Sequence, residues 1–397
     1  MPSGRLPALV TPALIAWARR TAGFDVAGAA QKLKISDAVF ASWEAGASRP
    51  SIAQARKMAT LFKRPLAVFY LAVPPDSFTP LRDFRTVSAL GRKIDTPTLA
   101  VETRRAHQRR EAAIVLARSL AETPPDFSVS ATLNEDPTNL ANRLREALAV
   151  GLSEQFAWKD PYSALNAWKA AAEGSGALVF QTENLPIREA RGFSLALFPL
   201  PVVALNSKDT PRGRIFTLMH ELSHIALRAS GICDLHDDQQ SSAEADRVEV
   251  FCNRVAGLVL MPAQSLRSAI SALGLSVEEE WGHDALKQLA DLYVVSHDAA
   301  LRSLTLAGLY PSELYSERHE AFVRAHQAEK ARKKAGRVPY FRRALSWSGR
   351  RFARMALSAY DEQRISGADL TEFLRVKMKQ VEQIRAALKK GDQGDGA

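Results

Sequence analysis

The sequence predicts a mainly α fold with a small β-sheet, an α+β chain built from several folded parts. Three observations lead there. Apolar residues recur at helical spacing through most of the 397 residues, and strand-like runs are confined to 176–206. A hydrophobic share of 46% over that length is enough to bury more than one core.

Residues 1–75 read as five short helices, over Thr11–Thr21, Val26–Leu33, Ser36–Ala45, Ser51–Leu61 and Pro65–Leu71, separated by turn signals. The stretch PPDSFTPLRDFR breaks that pattern and opens a helical connecting region, 76–170. It holds an Arg- and Ala-rich helix over Leu99–Ala121, a Pro-, Ser- and Thr-rich joint over Thr123–Ala131, and further helix to about Glu173. Within 171–310, GALVFQT (176–182), GFSLALF (192–198) and PVVALN (201–206) have strand character and are bounded by Gly and Pro. An apolar helix through Phe216–Leu227 follows, and the chain turns helical again from Ala243. Residues 311–397 form a helical, basic C-terminal region with a break near AGRVPY.

Composition narrows the function classes. No apolar run approaches the roughly twenty residues of a membrane span, and MPSGRLPALVTPALIAW lacks the order of a secretory signal, so a cytoplasmic location without membrane contact is expected. Cys233 and Cys252 cannot form a disulfide framework or a cysteine zinc knuckle. The formal charge of +10 is concentrated between Lys330 and Arg354, where ten Lys or Arg and no acid are interleaved with Tyr340, Phe341, Trp347 and Phe352. Such a stretch can grip nucleic acid through phosphates and stacking. Its other reading is a solvated cationic surface, and Phe341, Leu345, Phe352, Met355 and Leu357 favour a folded helix pair there.

The chemistry concentrates in FTLMHELSHIAL. On a helix, His220 and His224 lie four apart on one face and can present two imidazoles to one tetrahedral ion, while Glu221 can hold a water beside it. The other reading is a core helix with two satisfied histidines, but two imidazoles and a carboxylate in so apolar a helix are costly without a partner. A catalytic zinc needs a third protein ligand and an open position. Glu249, in EADRVEVFCNRVAGLVLMP, opens a second apolar helix, with Asn253 one turn on, while Val250, Phe251, Val255 and Leu258 pack elsewhere. Glu244 and Asp246 are rivals; Cys233 and His236 read as bystanders.

RIFTLMHELSHIAL, EVFCNRVAGLVLMP, the preceding PVVALNSKD and the later LADLYVVSHDAALRSL together resemble the ImmA/IrrE-type metallopeptidases, over roughly 171–310. The resemblance implies a zincin-like domain in which His220, His224 and Glu249 hold Zn2+ and Glu221 is the catalytic acid/base, with Asn253 beside the ligand helix. It also implies a protein substrate, a partner repressor whose cleavage releases transcription. The family usually carries Gly before the second histidine and Ala before the asparagine, where this chain has Ser223 and Cys252.

Toward the N-terminus, VAGAAQKLKISDAVFASWEAGASRPSI has helix-turn-helix rhythm and is similar to the Xre/Cro-type repressor fold over about 9–73. Ala29, Leu33, Ile35, Phe40 and Trp43 supply its core, Ser36 caps the second helix and Gly46 ends it. Ser36, Asp37, Ser42 and Arg49 are the candidate DNA contacts, with Arg19, Arg20, Lys32 and Lys34 adding charge nearby. Asp37 carries the wrong sign for a phosphate-lined groove, so DNA binding and protein docking stand side by side. Two functions follow: a zinc endopeptidase fused to a DNA-binding-like domain, or a non-proteolytic regulator or antitoxin-like protein whose zinc domain is structural. The oligomeric state is open.

Overall fold

A computed structural model describes residues 7–62, 64, 66–71, 73, 96–230, 242–274, 283–311 and 338–392. The fold is mainly α with one three-stranded sheet, as the sequence predicts. The chain divides into two units, Met1–Arg105 with Arg188–Ala190, and Ala106–Ile187 with Arg191–Ala397.

In the first unit, α1 (Pro12–Thr21), α2 (Val26–Leu33), α3 (Asp37–Glu44) and α4 (Ile52–Leu61) enclose a core of Leu33, Phe40, Trp43, Met58, Phe62 and Phe69. Their boundaries follow local capping chemistry. Asp25 accepts the Gly28 N–H at 2.7 Å, Ser36 accepts Val39 N–H at 3.4 Å, and Ser51 with Gln54 forms a reciprocal capping box. Gly46, at φ 74°, turns the chain away after α3. The fifth expected helix is instead a 3-10 turn over Leu66–Tyr70, since five residues are too few to propagate α-helical hydrogen bonds.

Helix α5 (Pro97–Ser119) begins in the first unit and ends in the second, where the helix after the joint at Thr123–Ala131 resolves into α6 (Pro137–Leu148), α7 (Leu152–Ala157) and α8 (Pro161–Gly174). The sheet has order β1-β3-β2, with β1 (Leu178–Thr182) parallel to β3 (Val202–Asn206) and β2 (Gly192–Leu195) antiparallel to it. The second strand is shorter than expected, ending at Leu195, because Leu195 pairs with Val202 and the chain must turn back through 196–201 to reach it.

Strand alternation assigns the two faces. Val179, Val203 and Leu205 join the core shared with α8, α9 (Pro211–Ala226) and α10 (Ser242–Leu260). Phe180, on the other face, meets Phe352 of the C-terminal helices at a 6.2 Å ring separation. Those helices span Tyr340–Ser348, Arg350–Asp361, Gly367–Leu374 and Val381–Asp392, and bury Leu345, Phe352, Met355 and Leu357. Folded helices with internal cores are thus what the second half of the basic stretch makes. Arg350 donates to the carbonyls of Ala387 and Leu388, and Arg351 to that of Glu173, so both guanidinium groups have partners inside the fold. Residues 330–337 lie outside the described residues.

Candidate metal centre

Helix α9 starts cleanly: Pro211 occupies its first turn and the Thr210 hydroxyl accepts Gly213 N–H at 3.1 Å. Its apolar residues Ile215, Leu218, Met219, Leu222 and Ile225 are buried, which fixes its rotation. Two of its buried polar side chains bond within the fold, Arg214 through Nη1 to Gln181 of β1 at 2.7 Å and Ser223 to the Met219 carbonyl at 2.8 Å. Gly192 allows β2 to approach this helix closely, for a Cβ there would come within 2.5 Å of the Thr217 methyl. Helix α10 packs against α9, with Cys252 of α10 facing His224 of α9. It begins at Ser242, so Glu249 sits two turns into the helix and does not open it. Cys252, Asn253 and Ala256 follow Glu249 at helical neighbour spacing, and Asn253 is half-buried. Val250, expected to pack, is instead 67% exposed and lines a shallow groove with Arg247 and Arg254. It falls about 100° round the helix from Glu249, away from the seam with α9.

This packing brings His220, His224 and Glu249 together. The two Nε2 atoms are 3.0 Å apart, and the carboxylate reaches across to them, Oε2 at 3.4 Å from His220 and Oε1 at 3.5 Å from His224. Tetrahedral zinc with bonds of about 2.0–2.1 Å separates its ligand atoms by about 3.3 Å, so the triangle has the size such an ion requires. Two imidazoles and one carboxylate are also the donor set of a catalytic zinc with one position left over. Glu249 is 34% exposed at its side chain, leaving the group reachable from solvent. Among the described residues this is the one group of His, Cys, Asp and Glu with metal-binding spacing. Cys233 and His236 lie outside the described residues, as do the side chains of Glu244 and Asp246.

Burial lowers the His224 imidazole, but the facing Cys252 sulfur, Glu249 and Glu221 outweigh it and push it up to about 10. Glu221, next to His220 in sequence, is buried on α9 and accepts a hydrogen bond from Ser194 Oγ at 2.7 Å on its Oε2. Ser194 pairs with Val203, whose side chain faces α9, so the register of β2 aims this hydroxyl at the helix. Sequence reasoning missed Ser194, because the signal lies in strand register and not in any local pattern. Cys252 Sγ lies 3.4 Å from His224 Nδ1, behind the ring.

The remaining sequence candidates sit in the first unit. Ser36 is the cap of α3, and Asp37, in its first turn, is exposed. Ser42 Oγ donates to the Val39 carbonyl at 2.7 Å and shares a 2.5 Å contact with Ser48 Oγ. Arg49 is exposed. The charge expected from Arg19 is taken up internally, by a two-point ion pair with Glu44 at 2.7 and 3.1 Å.

The centre lies in a stretch of the chain that is similar to known proteins. Residues 179–305 match the family profile of the IrrE N-terminal-like domain, a span that contains Ser194, Glu221 and the three clustered side chains. Radiation response metalloprotease IrrE of Deinococcus deserti is 32% identical over 105 residues, 26% of this chain and 35% of that protein. The protein of the same name from Deinococcus radiodurans is 30% identical over 106 residues, 26% of this chain and 30% of that protein. The matched stretch therefore spans about a third of each relative. Among the described residues, no helix is long and apolar enough to cross a membrane.

Proposed function

We propose that the chain is a cytoplasmic zinc-dependent endopeptidase that regulates transcription by cutting a partner repressor. The observation that carries this is the triangle of His220, His224 and Glu249 with the Glu221 carboxylate on the same helix. Zinc held by those three side chains would polarise the scissile carbonyl and acidify water to a pKa near about 7. Glu221 takes a proton from the attacking water on its carboxylate and delivers it to the leaving amine. Ser194 donates to Oε2 and so holds that carboxylate in one orientation. The half-exposed edge of the centre gives a peptide chain access.

The helix-turn-helix-like first unit brings the enzyme to its substrate. Docking on protein suits its second helix better than base reading does. The exposed surface of α3 offers Asp37, Ala38, Val39 and Ala41, and two of the polar candidates, Ser42 and Arg19, are engaged locally. Tethering of this kind raises the effective concentration of a scissile bond.

The test uses purified wild type and Glu221→Gln with small repressors from neighbouring genes. Both proteins are expected to hold one zinc, and only wild type to cleave. Normal zinc with no Glu221-dependent cleavage of any partner would favour the regulator with a structural metal. For the first unit, a salt titration of binding to the chain's own promoter is expected to give no sequence preference; an operator-specific complex at moderate salt would replace docking with DNA recognition.

A narrower prediction concerns Ser194. Replacing it by Ala removes one donor to Glu221, and kcat is expected to fall by roughly 10-fold while KM and zinc content stay put. A change confined to KM would assign Ser194 to substrate binding instead.

A further inference from the structure

Resting on the zinc reading, we infer that Cys252 is a positioning residue of the metal centre: its sulfur accepts the Nδ1–H of His224 and fixes that ring with Nε2 toward His220 and Glu249. The two ring nitrogens of His224 have different surroundings. Nε2 faces the donor triangle, 3.0 Å from His220 Nε2 and 3.5 Å from Glu249 Oε1. Nδ1 faces away from it, onto Cys252 Sγ at 3.4 Å. A histidine that uses Nε2 on a metal carries its proton on Nδ1, and metal-bound histidines nearly always give that proton to an acceptor. Carboxylates and carbonyls usually play this part; here the atom at Nδ1 is a sulfur.

Placement makes the contact rigid. Cys252 is fully buried, three residues after Glu249, so one stripe of α10 supplies both the third donor and the support behind the second. His224 is itself buried, with its helix locked by apolar packing on both sides. Sulfur is a weak acceptor, but within a buried site even a poor hydrogen bond orients a ring N–H. The thiol stays outside the donor triangle, which separates this role from direct ligation.

Zinc affinity, read by competition with a chromophoric chelator, tests the role without reference to activity. Cys252→Ala is expected to weaken zinc about 10-fold or more, within the range seen when outer partners of ligands are removed. Cys252→Ser, which keeps an acceptor, is expected to stay within about 3-fold of wild type. Circular dichroism melts accompany both variants, and the Ser variant, close in size, keeps the comparison meaningful if the Ala variant melts early. Ala within about 3-fold of wild type, or Ser as weak as Ala, overturns the inference. Cobalt(II) uptake by the wild type gives a second readout: d–d bands of a nitrogen and oxygen donor set without a sulfur-to-cobalt charge-transfer band are expected. A strong charge-transfer band would make Cys252 a ligand and sink the positioning role. Wild type that binds neither zinc nor cobalt would instead remove the metal centre itself.

Discussion

If the chain is the zinc peptidase proposed above, replacing Glu249 by Ala is expected to weaken zinc binding by more than about 100-fold and to abolish peptide cleavage with it. Loss of an outer partner alone costs about 10–100-fold in affinity, so loss of a direct donor should exceed that range. The side chain spans both imidazoles, 3.4 Å from one Nε2 and 3.5 Å from the other, so its removal opens one whole side of the triangle. It also removes the carboxylate's negative charge from the side of the two imidazoles, where a dication would sit. Folding should be spared, because the Glu249 side chain is a third exposed while α10 is anchored by Val248, Val255 and Val259. Metal analysis after dialysis against a weak chelator, with a thermal melt of the apo protein, separates the two effects. Stoichiometric zinc in the variant would hand the third position to Glu244 or Asp246, earlier on the same helix.

That assignment shows where sequence reading reaches and where it stops. The i, i+4 histidines are legible because helix geometry alone puts them on one face, and the helix itself is declared by its apolar residues and its Thr210-Pro211 start. Glu249 is preferred to Glu244 and Asp246 on its place in a second apolar helix with Asn253 one turn on, and the family resemblance adds to that choice. Ser194 and Cys252 escape for another reason. Each reaches the centre across a tertiary contact, Ser194 through strand register and Cys252 through the facing of two helices, and neither has a spacing signature. Helices α2, α3 and α4 are read within a residue or two because each carries its own cap, Asp25, Ser36 and Ser51 in turn, while α1 is marked by Pro12 in its first turn. Pro65–Leu71 fails since apolar content without length cannot separate an α-helix from a 3-10 turn. Least legible is the docking of the C-terminal helices on β1. The basic run there reads as surface, yet Arg350 and Arg351 hydrogen-bond to backbone within the fold.

That docking depends on Gly349, and Gly349→Ala is expected to destabilise the second unit by about 3 kcal/mol or more. The residue has φ 77° and ψ 151°, a conformation restricted to glycine and worth about 1–3 kcal/mol of strain for other residues. A Cβ there would also stand 2.6 Å from the Val179 carbonyl oxygen, 3.2 Å from the Phe180 ring and 3.2 Å from Glu173 Oε1. The first is backbone of β1 and cannot yield without moving the strand, and the Phe180 ring is packed against Phe352. The third is a buried carboxylate whose Oε2 accepts the Arg351 N–H at 3.2 Å, doing at this helix start what a capping side chain does elsewhere. Strain, backbone overlap and a displaced cap therefore fall on one position, and their sum should lower the melting temperature on the order of 5–10 °C. Urea denaturation followed by tryptophan fluorescence gives the free energy directly. A melting point within about a degree of wild type would mean that the helices after Gly349 contribute little to holding the sheet. The expected outcome ties them to the chemistry: β1 pairs with β3, β3 pairs with β2, and β2 carries the Ser194 hydroxyl that holds Glu221. A shift of β1 should then reach kcat as well, so the variant is expected to lose activity at temperatures below its melting point while retaining zinc through His220, His224 and Glu249, none of which lies on the sheet.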